Sequence, residues 1–239
     1  METGIFVVVL FCAYVVQGIT GFAGGMLTMP VGVNTVGLQT SIMAVNTCGI
    51  VACAIVAFAA RKSINWHEVG KICLTMTPFV AAGIVLDYVL DLGVLMVVYG
   101  IAIIVAAGRA LIVKNPKDFP NWMLWGILVL SGLVQGMFAS GGAFLVLYAT
   151  QKLKEKEEFR GTLSVIWVIL NTLYTSFQLA SSSVPVDGLI LVACCIPLMF
   201  LATFIGSKLE KKVSQEGFAK VVNVLLLVVG VILIATAKI

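Results

Sequence analysis

Eight apolar stretches occupy nearly the whole chain, at about 4–36, 38–60, 72–90, 93–113, 121–149, 161–183, 188–207 and 217–237. Roughly 20 apolar residues in a helix cross the hydrocarbon core of a bilayer. With 61% hydrophobic and only 11% charged residues, the chain cannot cover a soluble surface. The pattern is that of an all-α polytopic membrane protein with no room for a soluble domain. The opening "METGIFVVVL" lacks the basic n-region of a cleavable signal and reads as the first membrane segment.

The charges sit in the connectors and set the sidedness. Arg61, Lys62 and Lys71 lie around the second, and Arg109, Lys114 and Lys117 flank the fourth. Lys152, Lys154, Lys156 and Arg160 fill the fifth, and Lys208, Lys211, Lys212 and Lys220 the seventh. The third and sixth hold only Asp87, Asp91 and Asp187. Eight single crossings would split the basic residues almost evenly between the two sides, against the positive-inside bias. If the first and fifth stretches are re-entrant hairpins, all but Lys238 fall on the cytoplasmic side. That arrangement is expected, with both termini outside.

Those two stretches are long and glycine-rich in their middles. "VVQGITGFAGG" at 15–25 is echoed by "LVQGMFASGG" at 133–142, aligning Gln17-Gly18 with Gln135-Gly136 and Gly24-Gly25 with Gly141-Gly142. Asn46-Thr47 is echoed by Asn171-Thr172, and Pro78 by Pro197. Two membrane repeats, 1–114 and 115–239, are expected. Each is a glycine-broken hairpin plus three transmembrane helices, and the odd number of crossings inverts the second against the first, as in many secondary transporters.

Broken helices in lipid must line a cavity or be buried in protein. Helix N-termini at such breaks present free N–H groups and partial positive charge to an anion. The expected substrate-binding residues are therefore Gln17, Gly18, Thr20, Gly24 and Gly25 in the first break. Their counterparts in the second are Gln135, Gly136, Ser140, Gly141 and Gly142, with Asn46 and Asn171 on the helices that follow. The GxxxG pairs Gly21/Gly25 and Gly132/Gly136 suit close helix packing equally well. No ionisable residue lies deep in an apolar stretch, which argues against a cation carrier. His67 and the run "KLKEKEEFR" read as solvated connector, the latter within reach of anionic lipid heads. The six cysteines lie within apolar runs and read as small buried hydrophobes rather than a metal site or disulfide framework. No nucleophile–base constellation, phosphate loop or metal cluster is present in the pattern, so neither an enzyme nor a cofactor is expected. The basic connectors account for the net charge without nucleic acid.

The glycine-rich first segment, its repeat opening the second half, the length and the basic middle connector resemble the TauE/SafE sulfite exporter family, also called the toluene sulfonate uptake permease family. The resemblance covers essentially the full chain. It implies transport of sulfite, sulfonates, sulfoacetate and related anions across the bacterial inner membrane, more commonly as export. The family's glycine-rich segments correspond to Gly18–Gly25 and Gly136–Gly142, the second one residue shorter. A non-transporting membrane subunit, such as an assembly factor or sensor partner whose glycines only pack helices, is the alternative.

Overall fold

The computed structural model describes residues 2–86, 92–113, 119–138, 142–181 and 186–236. Among them every regular element is helical. In chain order these are α1 (Glu2–Thr20), α2 (Ala23–Thr35), α3 (Leu38–Ala59), a single 3-10 turn (Arg61–Ser63), α4 (Trp66–Leu86) and α5 (Leu92–Ile112). Then follow α6 (Asn121–Phe138), α7 (Gly142–Lys152), α8 (Lys156–Ser181), α9 (Val186–Glu210) and α10 (Gln215–Thr236). Four spans, Thr3–Thr20, Thr40–Ala59, Ile190–Glu210 and Gln215–Ala235, are long and apolar enough to cross a bilayer. Large apolar side chains such as Leu74, Ile112 and Phe200 point outward, which suits lipid and would be costly against water. This is a multi-pass membrane protein.

The helices gather into two compact units. The first holds α1–α3, the opening turn of α4, α8 and α9; the second holds the rest of α4 with α5–α7 and α10. Each unit therefore draws helices from both halves of the chain.

In the first unit the long opening stretch breaks at Gly21, whose φ of +87° is left-handed. Glycine adopts that conformation without a Cβ clash, so it ends α1 where another residue would be strained. The chain then doubles back. A Cβ on Gly32, late in α2, would meet the ring of Phe6, early in α1, at 2.8 Å. A second left-handed glycine, Gly37 at φ +84°, turns the chain into α3. Phe6, Leu10, Tyr14, Ala44, Cys48, Ala52, Cys195 and Met199 form the core between α1, α3 and α9. Paired contacts fix the helix directions. Tyr14 donates to the Val45 carbonyl and Gln17 to Cys53, so α1 and α3 are parallel. Gly161 abuts Ala60 and Asn171 abuts Gly49, so α8 runs antiparallel to α3.

The second unit holds an antiparallel pair of its own. Lys152 Nζ donates to Asn121 Oδ1 at 3.2 Å, and the Phe119 N–H to Gln151 Oε1 at 3.2 Å. The two ends of the fifth apolar stretch thus meet, and α6 and α7 form an antiparallel pair. Gly100 on α5 packs against Ile234, and Gly230 on α10 against Ile104, an antiparallel crossing in which a glycine on each side lets the backbones approach.

Candidate functional site

The first break is closed by polar groups from four helices. Gln17, 3% exposed, accepts the Gly24 N–H on Oε1 at 2.8 Å and donates from Nε2 to Cys53 Sγ at 3.0 Å. One residue of α1 thus caps the start of α2, meeting a backbone donor that the helix cannot satisfy itself. At the other side of the break, the Gly18 carbonyl accepts from Arg160 Nη2 at 2.7 Å and from Ser207 Oγ at 3.4 Å. Ser164 Oγ reaches the Gly21 carbonyl at 3.5 Å, and the Gly21 N–H returns to the Gln17 carbonyl at 2.7 Å.

Arg160 and Glu210 are 2% and 1% exposed and form an ion pair at 2.8 Å. Each is unfavourable alone. Glu210 sits at the negative end of α9, and an unpaired guanidinium in an apolar interior carries a large desolvation penalty. Together they neutralise one another, and Arg160 also answers the negative end of α1.

A second polar feature runs along α8. Arg160, Ser164, Trp167, Asn171 and Thr175 recur every three or four residues and so share one face; α8 packs against Gly21, Ala60 and Gly49 of the first unit. Helical hydroxyls elsewhere bond back to their own helix. Thr20 donates to Val16, Thr28 to Gly24, Thr75 to Lys71 and Thr77 to Cys73, and the Asn34 and Asn223 amides do likewise. Trp167 Nε1 and Thr175 Oγ1 are buried and have no hydrogen-bond partner. Asn46 is 5% exposed, and neither its amide nor that of Asn171 has a partner among the described residues. The Asn171 amide nitrogen stands 3.2 Å from where a Gly49 Cβ would lie, and Asn46 is one turn along α3 from Gly49. Asn46 and Asn171 therefore lie close together on α3 and α8, and Trp167 and Thr175 share the Asn171 face of α8 by helical spacing.

The residues expected from the sequence fall into distinct groups. Gln17 and the Gly24 N–H are bonded to each other, and Thr20 is bonded within its helix. Gly18 makes a helix crossing: a Cβ there would lie 2.5 Å from the Thr203 carbonyl oxygen and 2.9 Å from Gly206 Cα. Gly25 faces only Val45, the neighbour of Asn46, at 3.0 Å. In the second unit Gln135 is 2% exposed, Gly136 lies 3.1 Å from where a Gly83 Cβ would sit, and Gly142 is buried at the start of α7. Ser140 and Gly141 lie outside the described residues. Sequence reasoning placed Arg160 in a connector and missed Glu210, Trp167, Thr175 and Thr203. A polar stripe at helical spacing from Arg160 through Ser164 to Asn171 was the available signal.

A sulfite exporter TauE/SafE family model matches residues 6–233. The chain belongs to that family. No curated protein and no solved structure matches it. TauE/SafE membership implies a membrane transporter of sulfur-containing anions.

Proposed function

We propose that this TauE/SafE protein is a secondary transporter or facilitator that exports sulfite or small sulfonates, sulfoacetate among them, across the bacterial inner membrane. The observation that carries the site is the pair Asn46 and Asn171, polar and unbonded on facing helices, with Trp167 and Thr175 on the Asn171 face of α8 by helical spacing and their Nε1 and Oγ1 buried without a partner. Neutral N–H and O–H donors favour an anion without holding it as tightly as a buried cation would, and transport requires release. Gly25 lines the same region through Val45. Gln17, Gly18, Thr20 and Gly24 shape and cap the break in this reading. Gln135, Gly136, Ser140, Gly141 and Gly142 are proposed to do the same in the second unit. An inside-negative potential drives anions outward by about 2.3 kcal/mol per charge per 100 mV.

The proposed topology has re-entrant first and fifth stretches, two inverted repeats over 1–114 and 115–239, and both termini outside. Each of the two long stretches doubles back. In the first unit α1, α3 and α9 run one way and α2 and α8 the other, as this topology requires. A Gly206 Cβ would strike the Val15 carbonyl and Gly18 Cα, and a Gly83 Cβ the Leu133 carbonyl and Gly136 Cα. Val15 maps to Leu133 and Gly18 to Gly136 by the same shift that aligns Gln17 with Gln135, which supports the repeat. The crossings at Gly18 and Gly136 also favour the second reading, a non-transporting subunit whose glycines only pack helices.

The two readings part on ligand binding. A ligand that binds only the folded state raises its stability by mass action. Sulfite or methanesulfonate should raise the melting temperature of the purified protein more than chloride at equal ionic strength. No anion-specific shift would leave the packing reading.

A further inference from the structure

In the second unit, where α6 begins and α7 ends, two cations and three uncharged side chains close a ring of contacts. Lys71, on α4, donates from Nζ to Tyr148 Oη at 2.9 Å. The same ammonium lies 5.5 Å from the centres of the Tyr148 and Trp125 rings. One turn on from Tyr148 along α7 is Lys152, whose Nζ donates to Asn121 Oδ1 at 3.2 Å. One turn on from Asn121 along α6 is Trp125, which leads back to Lys71. Arg109, in the last turn of α5, stands over the Phe119 ring at 5.4 Å, and the Phe119 N–H bonds to Gln151 beside Lys152.

Burial differs across the ring. Tyr148 is buried and fixes the inner end, whereas Asn121 and Lys152 are exposed, and Trp122 and Trp125 are 77% and 48% exposed. Indoles of this kind sit at headgroup level in a bilayer. The segments that supply the ring, 68–71, 109–121 and 151–156, carry seven Lys and Arg against Glu68, Asp118 and Glu155. Lys71 and Arg109 have further interactions, but the excess of positive charge remains.

We propose that this ring binds the headgroup of an anionic phospholipid, with Lys71 and Lys152 on its phosphate and Trp122 and Trp125 against its glycerol and upper acyl chains. Tyr148 and Asn121 orient the two ammonium groups without neutralising them, since both partners are uncharged. A zwitterionic lipid brings its own cation, which the surplus of basic residues disfavours. In the proposed topology this end faces the cytoplasm, where anionic lipid attracts basic residues beside membrane helices. The site does not depend on the transporter reading.

Thermal protection of the full-length purified protein in detergent tests it, with phosphatidylglycerol, phosphatidylcholine or inorganic phosphate added. Phosphatidylglycerol should raise the melting temperature more than either of the others. Lys152→Gln removes an exposed charge and leaves the Lys71–Tyr148 bond in place. It should raise the phosphatidylglycerol concentration for half-maximal protection about fivefold, the share of one basic residue at a membrane surface. Lys62→Gln, which removes an exposed cation of the first unit, should leave that concentration unchanged. Equal protection by phosphatidylcholine, or a Lys152→Gln titration that matches the wild type, would refute the site. Equal weakening by Lys62→Gln and Lys152→Gln would refute it too, because the attraction would then be diffuse. Protection by inorganic phosphate as strong as by phosphatidylglycerol would overturn the lipid as occupant.

Discussion

Alanine at Gly18 tests whether the first break is built by helix packing. A Cβ there would lie 2.5 Å from the Thr203 oxygen and 2.9 Å from Gly206 Cα, against an ordinary contact of 3.4 Å or more. Both neighbours are backbone and cannot rotate away, so α1 and α9 must part by about 0.9 Å. Overpacking of this kind costs about 1–3 kcal/mol. Two backbone contacts under 3.0 Å put this site at the upper end of that range; alanine's better helix propensity returns up to about 1 kcal/mol, leaving a net loss of about 2 kcal/mol. Gly25→Ala meets only the Val45 methyl at 3.0 Å, which can shift, so its net effect should stay within about 0.5 kcal/mol once propensity is counted. Denaturant titration of the two purified variants in one detergent measures both. Gly18→Ala as stable as wild type, or Gly25→Ala as the more damaging change, would refute the packing geometry.

Three further outcomes follow from the same structure. Glu210→Ala leaves the buried Arg160 with only the longer, 3.5 Å contact to half-exposed Glu157 and should cost about 3 kcal/mol; an unchanged unfolding midpoint would mean the pair is not buried as described. Asn46→Ala and Asn171→Ala break no described hydrogen bond, so each should change stability by under about 1 kcal/mol while abolishing the sulfite-dependent melting shift; loss of folding would make them structural instead. Cysteines placed at Lys62 and Lys154 on a cysteine-free background should both resist an impermeant reagent added outside, and labelling of just one would restore eight single crossings.

The all-helical membrane character was legible because apolar runs of spanning length fill the chain, and the glycines in the first run mark where α1 ends at Gly21. Asn46 and Asn171 stand out in the sequence as repeated polar residues in apolar helices, and their role in binding is the proposal made above. Arg160 and Glu210 were not, because α8 begins at Lys156 and α9 runs to Glu210, so helix continues beyond the apolar edges and draws charge inward. The engagement of Gln17 by Gly24 and Cys53 was not legible, because it depends on a turn and a neighbouring helix. Trp167 reads as ordinary core in the sequence, where nothing tells that its buried Nε1 has no partner. The mixing of both halves in each unit rests on contacts such as Gly18 with Gly206, which no local pattern encodes.

The central claim is that this chain by itself moves a small sulfur-containing anion. Purified protein reconstituted into liposomes, with radiolabelled sulfite on one side, measures that directly. The account predicts flux above protein-free liposomes, competition by methanesulfonate but not by equal chloride, and loss of flux in Asn171→Ala. Sulfite flux no faster than in protein-free liposomes would contradict it.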